Sequence, residues 1–250
     1  MRLQVPPTAG RGLLLAAVLA AWALLAWMAF DMGHPLVQLM MPGWSHWSAP
    51  NVAAIFAMWA VMMAAMMLPA ALPMIAMFTR LHRARGEAGR ARAFVAAYLL
   101  VWTAFAAAAT ALQWLLQWAD WVDTMIASSS AALDAALLLI AGAYQFSPLK
   151  KLCLAKCRTP VVFLLGAWRP GVAGAFAMGL RHGLLCAGCC WALMLLLFVG
   201  GAMNLAWVGA LSLAVALEKL APHGERIAAV LGALLLAAGG LRLGVVLAAA

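Results

Sequence analysis

The sequence predicts an all-α protein, a polytopic transmembrane helical bundle of about seven spans with its amino terminus in the cytoplasm. Three observations carry this expectation. Apolar residues make up 68% of the 250 and charged residues only 9%, against about a quarter in a soluble domain, so there is too little charge to cover a surface that faces water. Apolar windows long enough to cross a bilayer core of about 30 Å, which takes roughly 20 residues, recur along the chain. The basic residues fall in alternate loops, as a membrane topology requires.

The windows follow in order. Leu13 to Phe30 comes after Arg2 and Arg11, a pattern shared with secretory signals. Its apolar run exceeds a signal core, and Trp22, Trp27 and Phe30 leave no small-residue cleavage site, so it is read as a retained first helix. The second span runs from Val52 to Phe78 and the third from Phe94 to Trp114. The fourth covers Ala131 to Phe146, the fifth Gly183 to Val199, the sixth Met203 to Leu217 and the seventh Ile227 to Leu247. The fourth and sixth are short, and Thr159 to Met178 is apolar enough to be a re-entrant or interfacial piece, so the count lies between six and eight. No linker or low-complexity segment divides the chain, and residues 1–250 read as one integral membrane domain.

Charge gives the orientation. Sixteen Lys and Arg against seven Asp and Glu leave +9. Arg80, Arg83, Arg85, Arg90 and Arg92 lie between spans two and three. Lys150, Lys151, Lys156, Arg158 and Arg169 lie between spans four and five, and Lys219 and Arg226 between six and seven. The alternate loops hold Asp31, Asp120 and Asp123, and Arg242 is the one clear exception. An excess of cations on one side marks the cytoplasmic face, which makes this a multi-pass protein of the inner membrane, in contact with lipid. Cations split among short loops, with no basic-aromatic platform, exclude nucleic acid as a partner.

Chemistry concentrates between Met178 and Met194. On a helix, residues four apart stack on one face, so Met178, His182, Cys186, Cys190 and Met194 form a stripe with Cys189 beside it. Thiolate, thioether and imidazole are the ligands of soft or borderline ions: Cu(I) first, Zn(II) second. A lone cysteine is a small apolar residue; three within five positions, one turn from a histidine, make a ligand set. Cys153 and Cys157 form a second pair in the basic loop after span four, on the same side of the membrane as the cluster. In a reducing cytoplasm an odd number of cysteines argues against structural disulfides.

The second span is rich in methionine. Met58, Met62 and Met66 lie four apart, Met63 and Met67 make a parallel row, and Met74 and Met77 follow. Methionine packs well in any helix, but such a face also offers thioethers to Cu(I). Pro69 and Pro73 lack an N–H and free the carbonyls of Ala65 and Pro69, which at membrane depth require another partner. Outside, the loop from Asp31 to Asn51 offers Met32, His34, Met40, Met41 and His46 for collecting an ion, and Trp44 and Trp47 as interfacial anchors. Asp134, Tyr144, Gln145, Asn204, Glu218 and Lys219 need polar partners inside the membrane. For Glu218 and Lys219 a snorkelling position at the inner interface suffices. There is no phosphate-binding loop, dinucleotide fingerprint or nucleophile elbow, and of the histidines only His182 lies within a span.

Three strings in order carry a resemblance. They are Met58-Trp59-Ala60-Val61-Met62-Met63-Ala64-Ala65-Met66-Met67-Leu68-Pro69; Gly142-Ala143-Tyr144-Gln145-Phe146-Ser147-Pro148-Leu149-Lys150 with Cys153 and Cys157; and Gly188-Cys189-Cys190-Trp191 with Glu218-Lys219. Over roughly residues 50–220 the chain resembles a bacterial family of predicted metal-binding integral membrane proteins. The resemblance implies a multi-span protein with a metal site and supplies no activity.

The leading reading is a protein that binds a soft transition metal for transport, homeostasis or delivery to a metalloenzyme, with a metallochaperone or metalloenzyme as partner and a homo-oligomer as its assembly. His182, Cys186, Cys189 and Cys190 are the principal ligands, Cys153 and Cys157 the hand-off pair, and Met62, Met63, Met66 and Met67 the centre of the thioether route. The alternatives are a membrane thiol–disulfide oxidoreductase, against which the i, i+4 spacing counts, and a non-catalytic structural subunit of a membrane complex, in which methionine and small residues pack helices.

Overall fold

The structure, a computed structural model, describes residues 7–43, 47–83 and 87–249. Arg2, Trp44, His46 and Arg85 lie outside the described residues. Among those described there are helices and no strand, apart from one isolated bridge between Val122 and Ser128. In chain order the helices are α1 (Pro7–Phe30), α2 (Pro35–Gln38), α3 (Ala49–Arg83), α4 (Ala88–Trp118), α5 (Ala131–Gln145) and α6 (Pro148–Arg158). They continue with α7 (Pro160–Ala167), α8 (Gly171–Leu195), α9 (Leu197–Gly200), α10 (Leu205–Leu220) and α11 (Gly224–Ala249). Five of them, α1, α3, α4, α8 with α9, and α11, carry stretches long and apolar enough to cross a membrane, and α5 with α6 makes six if that pair, bent by 63°, counts as one. The 16 residues of α10 coincide with the sixth sequence window but fall short of that length.

The centre of the bundle is α4, which packs on α3 and on α8. Helix α1 covers α3, α5 pairs with α11, and α6 lies along α8. The α4–α8 contact depends on glycine: a Cβ at Gly179 would collide with the carbonyl oxygen of Phe94, and one at Gly183 would stand 2.8 Å from Val101. Small residues four apart let two backbones approach where lipid supplies no hydrophobic drive between helices. At the periphery α1 and α11 expose Leu13, Leu19, Leu241 and Leu247, apolar surface that suits a lipid solvent.

At 35 residues α3 is the longest helix, and it runs through both Pro69 and Pro73. The carbonyl freed at Ala65 is answered by α1: the Trp22 indole N–H donates to it at 3.1 Å. Other polar groups pair between distant segments in the same way. Trp59 donates to Gln113 Oε1 at 2.8 Å, and Trp47, expected as an interfacial anchor, donates to Gln117 Oε1 at 3.0 Å.

Two expectations are corrected. The fifth window starts at Gly171 rather than Gly183, so the stretch read as re-entrant is divided between α7 and the first turns of α8. The breaks fall at Thr159-Pro160 and Trp168-Arg169-Pro170, where proline ends a helix or opens the next. Cys153 and Cys157 lie on helix α6, not in a loop. Ser147 caps that helix by accepting from Lys150 N–H, with Pro148 at its first position, and this is what turns the chain by 63° after α5.

Candidate metal centre

Helix α8 carries the sulfur. Its small residues sit against α4, and the face that results buries Met178, His182, Cys186, Cys189, Cys190 and Met194, none more than 3% exposed. All five cysteines of the chain are free thiols. Two of them fold back on the same backbone carbonyl: the Cys189 and Cys190 thiols donate to Cys186 O at 3.1 and 3.0 Å. Both sulfurs are thereby drawn toward the turn that holds Cys186.

Three neighbouring helices reach this turn. From α3, Met67 brings its Sδ to 3.8 Å from Cys190 Sγ. Two sulfurs bound to one metal ion at about 2.3 Å, with a tetrahedral angle between them, lie about 3.8 Å apart, so this thiol and thioether already stand at the separation of one coordination shell. From α4, the Tyr98 hydroxyl donates to Met67 O at 3.1 Å and lies 3.1 Å from Cys186 Sγ. From α10, the Lys219 ammonium donates to Cys186 Sγ at 2.8 Å. The chain has two tyrosines, and both phenols serve this helix, since Tyr144 donates to Gly188 O.

His182 lies one turn away, packed between aromatic rings. Phe94, Tyr98 and Phe163 hold its ring at centroid distances of 6.0, 5.6 and 5.5 Å. Its Nδ1 is buried and has no hydrogen-bond partner. A buried orphan nitrogen costs about 1–3 kcal/mol, and it is free to coordinate. Helix α6 approaches from the other side. Cys153 Sγ is so near Gly188 that a Cβ there would lie 3.0 Å from it, and the Cys157 thiol adjoins that of Cys189. Cys153 is buried and Cys157 partly so.

The remaining sequence candidates divide. Met62, Met63 and Met66 are fully buried in the same apolar cluster as Met67, with Met58 and Met74 above and below them. Among the described residues no three His, Cys, Asp or Glu side chains surround a common point, so the donors form a string of contacts rather than a closed cage. His34 caps α2 by accepting from Leu36 N–H and meets Trp27 edge-on, and Asn204 caps α10.

Glu218 and Lys219 do not snorkel. They are 1% and 7% exposed, and Lys150, itself 1% exposed, pairs with Glu218 at 2.6 Å. The Arg158 guanidinium closes the same end by donating to Glu218 O, Ala221 O and Pro222 O. Sequence reasoning passed over Tyr98 and gave Lys150 and Arg158 no part beyond the cationic loop. A signal existed for one of them, because Tyr98 is a polar residue well inside an apolar window.

Fold and site together define a helical protein of membrane-crossing composition whose interior gathers thiols, thioethers and an imidazole. The PpoB2 family, described as copper chaperone, matches residues 56–242, about three quarters of the sequence. The chain belongs to this family, and its function is copper-related. No curated protein and no solved structure matches it.

Proposed function

We propose that the protein is an integral inner-membrane copper chaperone that takes Cu(I) into the bundle and delivers it to a metalloenzyme or a partner metallochaperone. The observation that carries this reading is the approach of Cys190 Sγ to Met67 Sδ at 3.8 Å across two helices, in a chain of a copper chaperone family. Soft sulfur ligands select Cu(I). A string of few donors also suits that ion better than Zn(II), whose structural sites take four ligands in a closed shell.

In this reading Cys186, Cys189 and Cys190 supply thiolates, Met67 a thioether and His182 its unpaired nitrogen. Met62, Met63 and Met66 extend the thioether face along α3, so that the weaker ligands lie on the approach and the stronger ones at its end. Cys157, beside Cys189 and less buried than the cluster, is the outlet with Cys153. The membrane arrangement that goes with it is a single domain of seven spans, with α10 as the sixth in chain order, and an amino terminus in the cytoplasm where the cationic loops lie.

The test is a Cu(I) titration of purified protein in detergent against a chromophoric competing chelator. Wild type is expected to hold one tightly bound equivalent that Cys186→Ala/Cys189→Ala/Cys190→Ala lacks. Equal stoichiometry and affinity in both would overturn the site, and tighter Zn(II) than Cu(I) binding would overturn the choice of metal.

A further inference from the structure

At the end of the bundle opposite the cationic loops a cavity of about 810 Å³ opens to the surface. Three separate chain segments each give it one methionine: Met32 after α1, Met125 from the α4–α5 connection and Met203 from the α9–α10 connection. The rest of its wall is alanine, glycine, leucine, phenylalanine and one asparagine, so its sulfurs are its only soft donors. Directly below lies a smaller pocket that shares Ala29, Met203 and Leu205 with it and adds Met28 and Met58. Met58 is the first residue of the thioether row on α3, four positions above Met62.

The backbone holds these segments in place. Ser128 N–H donates to Phe198 O at 2.7 Å, tying the α4–α5 connection to α9. Gly201 sits at φ 85°, a conformation that favours glycine, and a Cβ there would be 3.3 Å from Ala127. Ile126 is fully buried at φ 60°, a costly backbone for a β-branched residue, and it leaves its neighbour Met125 on the cavity wall. The cavity is therefore built by the fold.

We infer that this cavity is a second, thioether-only binding site for Cu(I), through which the ion reaches the α3 methionines and then the thiol cluster. The inference rests on the copper-delivery reading above. A thioether has no proton to lose, so it binds a soft monovalent ion equally well across the physiological range, whereas a thiol binds by releasing a proton. Under the proposed topology the cavity faces the periplasm, and an ion collected there meets thioethers from Met203 and Met58 down to Met67 before it meets a thiolate. The ordering gives direction: capture by thioethers is weak, reversible and independent of pH, and retention by the thiol cluster is strong.

The experiment uses the full chain in detergent, titrated with Cu(I) at pH 6 and pH 8. A second, weaker equivalent is expected in wild type and in Cys186→Ala/Cys189→Ala/Cys190→Ala, with the same affinity at both pH values. Met32→Leu/Met125→Leu/Met203→Leu should lose that equivalent and keep the tight one. In unaltered protein, Ag(I), a soft monovalent ion that is not readily oxidised to a divalent state, should protect Met32 and Met125 from oxidation by peroxide, read as sulfoxide by mass spectrometry. Unchanged stoichiometry in the methionine variant, or equal sulfoxide formation with and without Ag(I), overturns the proposal. Lipid carried in the cavity to the exclusion of Ag(I) overturns it as well. Loss of the tight equivalent in the cysteine variant is read independently, so failure of either site leaves the other measurable.

Discussion

Lys150→Met should destabilise the protein far more than its position on a short, basic helix suggests. Its ammonium is 2.6 Å from Glu218 and both side chains are 1% exposed. At an effective dielectric constant of about 20 the Coulomb attraction at that distance is of order 6 kcal/mol, most of which offsets the desolvation of the two groups. Removing one partner leaves a buried charge alone, a change that costs about 3–5 kcal/mol. Removing both with apolar residues of similar size removes the desolvation as well, and such replacements are neutral or stabilising by about 1–4 kcal/mol. Lys150→Met and Glu218→Leu should therefore each lose about 3–5 kcal/mol, and Lys150→Met/Glu218→Leu should recover to wild-type stability or beyond. Titration of sodium dodecyl sulfate into detergent-solubilised protein, followed by helical ellipticity, reads all three. A single variant within about 1 kcal/mol of wild type, or a double variant no better than the singles, refutes the buried pair. It would also remove the tie by which α10 holds α6, and with it Cys153 and Cys157, against the thiol helix.

The same stability assay checks two further positions. Gly179→Ala places a methyl against the Phe94 carbonyl, forces α4 from α8, and should cost about 1–3 kcal/mol by overpacking. Trp22→Phe keeps the ring but strands Ala65 O beside the first proline of α3, at a cost of about 1–3 kcal/mol. Met67→Leu conserves volume and should change stability by less than about 1.5 kcal/mol, while a Cu(I) competition titration shows weakened binding at the thiol cluster. Unchanged copper affinity in that variant would mean that the contact with Cys190 is packing alone. Tyr98→Phe removes a hydroxyl that spans Met67 O and Cys186 Sγ and should raise the amide exchange rate of α3 near the prolines, measured by hydrogen exchange.

The helices were legible because composition and apolar windows depend on local sequence, and a bilayer fixes their length. The stripe from Met178 to Met194 was legible for the same reason, since positions four apart share a face whatever lies opposite. What lies opposite is a tertiary matter. Glu218 and Lys219 read as interfacial because their place near a helix end permits snorkelling; only the approach of Lys150 and of Cys186 from other helices reveals that both are enclosed. The same limit hid Tyr98, whose two partners are 31 and 88 positions away in the chain. Helix α6 was a different kind of miss. Its charge disguised it as a loop, yet Ser147-Pro148 is a helix-opening pair visible in the sequence. The methionines of the cavity at the far end were scattered across three connections, and no periodicity links Met32, Met125 and Met203.

The measurement that bears most directly on a sulfur-bound Cu(I) centre is X-ray absorption at the copper edge on protein loaded with one equivalent. The expected spectrum has the edge of a monovalent ion and a shell dominated by sulfur at about 2.3 Å, the metal–thiolate distance, lost in Cys186→Ala/Cys189→Ala/Cys190→Ala and altered in Met67→Leu. A shell dominated by nitrogen or oxygen near 2.0 Å, or a sulfur shell that survives in the cysteine variant unchanged, would contradict it.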